Sequence, residues 1–267
     1  MWIVKVIIAL ATFYTAVIVA AYFLQTHLIF PAGLVGQGGA PPGSRTVQLA
    51  TEDGENVVLV RVAPAAGEIA ERPVLLGFGG NAWSANTMAT VLHQIFPDHE
   101  IAALHYRGYG PSSGRPSSKA LFADAALAYD HLAGKSQNGV VAVGFSIGAS
   151  VAVDLAAKRE LEGLVLVTPF DSLKELAAAH YPWLPVRPLL RHHMESAETL
   201  GKLALPVAII TAENDDVVPA KRSKPLREAA ADLRSDIVIG GTGHNDIYYI
   251  GEFAEALRKS VAAVSGD

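Results

Sequence analysis

Residues 140–157 read Val-Val-Ala-Val-Gly-Phe-Ser-Ile-Gly-Ala-Ser-Val-Ala-Val-Asp-Leu-Ala-Ala, and the two halves of this stretch obey different rules. Val140–Val143 is a short, largely β-branched run, long enough for a buried parallel strand and too short for a helix. Ile147–Ala157 is apolar and Ala-rich and predicts a helix. Between them, Gly144-Phe145-Ser146-Ile147-Gly148 fits the pattern G-x-S-x-G. A serine on a sharp strand-to-helix turn is held in a strained backbone conformation, and glycines two residues before and after let strand and helix approach without a clashing Cβ. The turn lifts the hydroxyl above the sheet, where the first helical N–H groups also point. An ordinary Gly/Ser turn is the competing reading of the bare pattern. The strand before and the helix after favour Ser146 as a nucleophile.

Outward from this turn, apolar strand candidates alternate with helical stretches. The strands are Val74–Phe78, Ile101–His105, Val140–Val143, Leu164–Val167, Val207–Thr211 and Asp236–Ile239. Helices are expected around Asn86–Ile95, Ser117–Ala133, Ile147–Ala157, Ala220–Ala231 and Ile247–Val264. Ahead of them, Thr46–Ala50 and Asn56–Ala63 flank the turn Glu52-Asp53-Gly54, a hairpin signal. An antiparallel start followed by β-α alternation implies an α/β fold, with a mostly parallel eight-stranded sheet and helices on both faces. Asp171–Leu203 interrupts the alternation with Tyr181-Pro182-Trp183-Leu184-Pro185 and Arg187-Pro188-Leu189-Leu190. It is expected to form a small cap over a pocket, with a packed connector as the alternative.

The chain of 267 residues is long enough for one large domain with a well-buried core. A charged fraction of 18% against 51% hydrophobic residues excludes a disordered chain, and a mean hydropathy of +0.29 suggests a membrane-inserted segment. The net charge of −5, without a basic stripe, argues against a nucleic-acid partner. Cysteine is absent, so disulfides, thiolate metal sites and a cysteine nucleophile are excluded. Trp2–Leu24 is almost wholly apolar apart from Lys5 and matches the roughly 20 residues needed to cross a bilayer. It is expected to be an uncleaved anchor over residues 1–25, with a cleaved signal peptide or a buried soluble helix as alternatives. Lys5 and the amino terminus favour a cytoplasmic N-terminus and a non-cytoplasmic body. Residues 26–44, dense in Pro and Gly, read as a connector, and residues 45–267 as the folded body.

An activated serine needs a base, an acid that orients the base, and N–H donors for an oxyanion. Among nine histidines, His244 lies in Gly240-Gly241-Thr242-Gly243-His244-Asn245-Asp246, after the last strand, where loops surround the nucleophile. His105 ends a strand and is a rival. For the acid, Thr211-Ala212-Glu213-Asn214-Asp215-Asp216 follows the seventh strand. Asp215 is preferred, with Asp216, Glu213 and Asp171 as alternatives. The order Ser146, Asp215, His244 differs from those of chymotrypsin and subtilisin. After the third strand, Gly77-Phe78-Gly79-Gly80-Asn81-Ala82 offers the N–H of Asn81 (or of Gly80) to act with that of Ile147. The same loop lacks the Gly-Lys-Ser/Thr of a phosphate loop.

Together with Leu28-Ile29-Phe30-Pro31, Tyr106-Arg107-Gly108-Tyr109-Gly110 and Thr168-Pro169-Phe170, these motifs resemble the α/β-hydrolase superfamily over nearly the whole chain. Within it, the chain is similar to the small membrane-anchored abhydrolase-domain serine hydrolases, which include lysophospholipase- and acyl-protein-thioesterase-like enzymes. The resemblance implies Ser146 as nucleophile, Asp215 as acid and His244 as base, acting in two-step acyl transfer without a metal or organic cofactor. It also implies a lipid or acyl substrate, or an acylated protein. Gly79 stands where the family commonly carries the histidine of a His-Gly-Asn loop, a change that backbone donors can survive. Tyr106–Gly110 is expected to be structural, with Arg107 fixing a loop. A peptidase on the same fold and a non-catalytic, membrane-tethered binding protein are the alternatives.

Overall fold

A computed structural model describes residues 1–36, 38–65, 72–134 and 138–266. A long helix α1 (Trp2–Ile29) leads through a 3₁₀ turn at Ala32–Leu34 into the hairpin β1 (Arg45–Ala50) and β2 (Asn56–Val62). Then follow β3 (Val74–Phe78), α2 (Ala85–Ile95), β4 (Ile101–His105), α3 (Ser118–Ala133), β5 (Val140–Phe145), α4 (Ile147–Ala156) and β6 (Gly163–Val167). The insertion contains α5 (Leu173–His180), α6 (Val186–Leu189) and α7 (Ser196–Leu200). The chain closes with β7 (Pro206–Ala212), α8 (Ala220–Ala229), β8 (Asp232–Ile239), a 3₁₀ turn at Ile247–Tyr249 and α9 (Gly251–Ser265).

The eight strands form one sheet in the order β1-β2-β4-β3-β5-β6-β7-β8, antiparallel only at β1/β2 and β2/β4. Both faces are covered. Leu76, Phe78, Ala142, Leu164 and Ile209 face one core layer with α3, α4 and α8, whereas Leu75, Val141, Val143, Val165 and Ile210 face the other with α2 and α9. Burial on both sides is why these strands read as continuous apolar runs rather than alternating ones. The chain runs from β3 to β4 on one side and places β5 on the other. This order reversal opens a crevice at the strand C-terminal ends, where ligands bind in open α/β sheets. The loop after β3 and the turn after β5 both open there.

Several boundaries differ from the sequence reading. The first helix runs through Ile29 rather than ending at residue 25, since nothing before Pro31 breaks it. Residue 37 of the expected connector lies outside the described residues. The eighth strand starts at Asp232, not Asp236, because on this sheet edge charged side chains alternate toward solvent and mask the apolar pattern. The last helix is split by extended backbone at Ile250. The insertion over 171–203 does not cover the crevice beside Ser146: none of its residues lines the cleft there. Its prolines break it into short helices, and its tip finds α1 instead, a helix with a long exposed apolar surface.

Candidate active site

The turn after β5 is built by exclusion. A Cβ at Gly144 would come within 2.5 Å of the Gly148 carbonyl oxygen, and one at Gly148 would overlap the Phe78 carbonyl. Glycine at both positions lets β5, α4 and β3 close up, and Ser146 between them takes φ 52° and ψ −115°, left-handed backbone that non-glycine residues rarely adopt. The Ser146 N–H is anchored on the Val167 carbonyl at 2.8 Å, which holds the strained residue in place. Strain of this kind concentrates where a side chain must be aimed.

The loop after β8 brings His244 over this turn. His244 Nε2 lies 3.1 Å from Ser146 Oγ, and His244 Nδ1 lies 2.8 Å from Asp215 Oδ2. Both His244 and Asp215 are buried. The other carboxylate oxygen of Asp215 accepts the N–H groups of Val217 (3.0 Å) and Val218 (2.6 Å), so the side chain is clamped on both edges. The remaining acid candidates are engaged elsewhere. Glu213 accepts the Gly241 N–H, Asp171 accepts the Ser172 N–H and pairs with Arg222, and Asp216 is exposed. His105 is buried behind α2, with Nε2 3.3 Å from Asn86 Oδ1, and burial lowers its pKa to about 4.

Gly80 and Asn81 line the cleft opposite His244. The N–H groups of half-buried Gly80, exposed Asn81 and buried Ile147 donate to no protein acceptor among the described residues. Two residues of the Tyr106-Arg107-Gly108-Tyr109-Gly110 motif hold this loop. The Tyr106 hydroxyl donates to the Gly79 carbonyl at 2.9 Å and the Tyr109 hydroxyl to the Asn81 carbonyl at 2.7 Å. Within a peptide plane the N–H points opposite the C=O, so fixing the Gly79 carbonyl turns the Gly80 N–H the other way, and fixing the Asn81 carbonyl does the same for Ala82. The sequence predicts only a structural role for this motif; the signal for the link is two tyrosines around Gly108, whose φ is +80°. Arg107 turns away and binds Asp124 and Asp53, and burial raises the Asp124 pKa against the pull of that guanidinium.

A cleft of about 590 Å³ leads to Ser146 and His244. Its walls are mostly apolar: Trp83, Val91, Ile95, Tyr248, Ile250 and Phe253. Trp83, Phe145, Tyr248 and Phe253 pack ring against ring, with centroids 5.0–6.4 Å apart. The Tyr248 hydroxyl reaches Thr168, itself at φ 45°, and burial pushes its pKa up to about 12. These aromatics lie too far apart in sequence for any spacing rule to join them. The described residues contain no cluster of His, Asp and Glu suited to a metal ion.

No family model matches the chain. It is 38% identical over 241 residues to an uncharacterized protein of Mycobacterium tuberculosis, covering 87% of this chain and 84% of that one. It is 32% identical over 165 residues to alpha/beta hydrolase domain-containing protein 17B of Xenopus laevis, covering 61% of this chain and 56% of that relative's length. Among solved structures, an esterase of Pyrococcus furiosus superposes with a TM-score of 0.67 at 15% identity, over 85% of this chain and 97% of that one, a likeness of fold.

Proposed function

Because the chain belongs to the α/β-hydrolase superfamily, we propose that it is a serine hydrolase cleaving an ester or thioester of a lipid or other acyl substrate. The superfamily and its esterase neighbours support a hydrolase. The observation that carries the finer reading is the continuous line from Asp215 through His244 to Ser146 Oγ at the mouth of an apolar cleft.

In this reading His244 Nε2 takes the Ser146 proton as Oγ attacks the carbonyl carbon. Asp215 holds the ring so that Nδ1 keeps its hydrogen and Nε2 stays free to accept. The tetrahedral oxyanion is received by the N–H groups of Ile147 and Asn81, with Gly80 beside them; losing one such donor typically costs about 100- to 1000-fold in rate. His244 returns the proton to the leaving alcohol or thiol. A water activated by the same ring then releases the acyl group and regenerates Ser146. Backbone donors account for the tolerance of glycine at position 79. The Trp83–Tyr248–Phe253 wall suits an acyl chain.

We further propose that α1 tethers the enzyme to a membrane, with residues 45–267 as the catalytic body. Its 28 residues are predominantly apolar and suffice to cross a bilayer. Lys5 favours a cytoplasmic N-terminus and a body on the opposite side.

The test is labelling of the full chain by a fluorophosphonate, beside Ser146→Ala, followed by turnover of p-nitrophenyl acyl esters and of a prolyl amide. Labelling that disappears in the variant, with ester turnover, is expected. A folded chain that never labels removes the proposal, and turnover of the amide alone would assign a peptidase.

A further inference from the structure

Resting on the reading of α1 as a membrane tether, we propose that the tip of the insertion, Tyr181–Arg191, is a second membrane contact. It enters the headgroup and outer acyl region of the bilayer that α1 crosses.

The argument begins with length. A hydrocarbon core about 30 Å thick takes about 20 helical residues. Along α1, residues 2–16 are exposed, and the first half-buried positions are Val17 and Ile18, followed by Ala21, buried Gln25, Thr26 and Ile29. At 1.5 Å per residue the uncovered stretch is only about 22 Å long. Counted from Trp2, the core therefore extends to about residue 21, past the point at which the body meets the helix. The insertion tip is what lies alongside there. The Tyr14 hydroxyl donates to the Trp183 carbonyl at 2.7 Å, and Gln25 Nε2 donates to the Leu189 carbonyl at 3.1 Å. The Arg191 guanidinium sits 4.9 Å from the Tyr22 ring centre.

The chemistry of the tip agrees with this depth. Tyr181 and Trp183 are 52% and 55% exposed, and aromatic residues of this kind concentrate where headgroups meet acyl chains. Between residues 176 and 194 there is no Asp or Glu; Arg187 is paired with Glu175 at 2.8 Å, and Arg191 carries the positive charge that an anionic leaflet attracts. Irregular backbone at membrane depth must satisfy its polar groups within the protein. Here Pro182, Pro185 and Pro188 have no N–H to satisfy. The Trp183 and Leu189 carbonyls accept from α1 side chains, and the Arg191 N–H donates to Gln25 Oε1 at 2.7 Å. The N–H groups of Leu184, Val186 and Leu190 close turns within the tip.

The chain has no cysteine, so single-cysteine variants carry one spin label each without background. The full chain, reconstituted in vesicles of phosphatidylcholine and phosphatidylglycerol, would be labelled at Phe13→Cys on α1, at Trp183→Cys and separately Leu184→Cys on the tip, and at Lys202→Cys on the body. Collision with dioxygen reports lipid, and collision with a water-soluble nickel chelate reports water. The expected result is oxygen-dominated relaxation at positions 13, 183 and 184, with loss of the nickel response seen at position 202. Labels at 183 and 184 that respond to nickel like that at 202, while 13 does not, would overturn the second contact and leave the tether intact. A nickel response at 13 as well would overturn the tether, and the second contact with it.

Discussion

At Ser146 the left-handed backbone costs on the order of 1–3 kcal/mol, and the surrounding atoms hold it there: the Val167 carbonyl from one side, the β3 backbone from the other. The flanking glycines are therefore constrained by backbone rather than by movable side chains. Gly148→Ala places a methyl group against the Phe78 carbonyl in the middle of the sheet, where nothing can give way. Overpacking of this kind costs roughly 1–3 kcal/mol or more, so the unfolding midpoint should fall by about 2–12 °C, at about 2–4 °C per kcal/mol for a chain of this size. A thermal scan of the variant beside the parent checks this; an unchanged midpoint would mean that α4 can move away from β3.

At the scale of elements, the insertion and α1 are joined largely through one buried side chain. Both the carbonyl and the amide of Gln25 bond to backbone of the tip, at Arg191 and Leu189. Thr26 reaches His192 at 2.8 Å, and Phe30 packs edge-on against the same ring. Gln25→Ala removes both bonds and strands a part-buried carbonyl and a part-buried N–H, at a cost of about 1–3 kcal/mol. Hydrogen exchange at the Arg191 amide should accelerate about tenfold or more, the factor that about 1.4 kcal/mol represents. Exchange that does not change would show that the tip is held by its apolar contacts alone.

For the whole molecule, the buried imidazole of His105 links stability to pH. Its pKa of about 4 in the fold stands below the roughly 6.5 of an exposed histidine. Between these values the unfolded chain binds the proton and the folded chain does not, so stability rises with pH across that interval. The contribution is complete above about pH 6.5 and is lost as the pH falls toward 4. Its full size is up to about 3 kcal/mol. The unfolding midpoint should therefore drop between pH 7 and pH 5, and His105→Gln should flatten that slope. Parallel slopes for parent and variant would assign the acid sensitivity to other groups.

Local order was readable along the chain wherever one element decides it. The β-branched run, the glycine pair around Ser146 and the apolar helix after it specify a strand, a turn and a helix through contacts within a few residues. The succession of apolar runs specifies a mostly parallel sheet, and with it that Ser146, Asp215 and His244 all leave strands at the same edge. What periodicity cannot convey is which other element a face will meet. The sequence prefers Asp215 but leaves its neighbour Asp216 as an alternative, and the difference comes from a turn that points one at His244 and the other into water. The hydroxyls of Tyr106 and Tyr109 reach the Gly79–Asn81 loop only because β4 lies beside β3. The insertion has the composition of a cap, yet it packs on α1, because Gln25 and Tyr14 offer its irregular backbone the hydrogen bonds it lacks. By itself the sequence determined the elements and their order, through short-range sterics and burial. Only the tertiary structure decided these long-range pairings, which depend on distances between groups far apart in the chain.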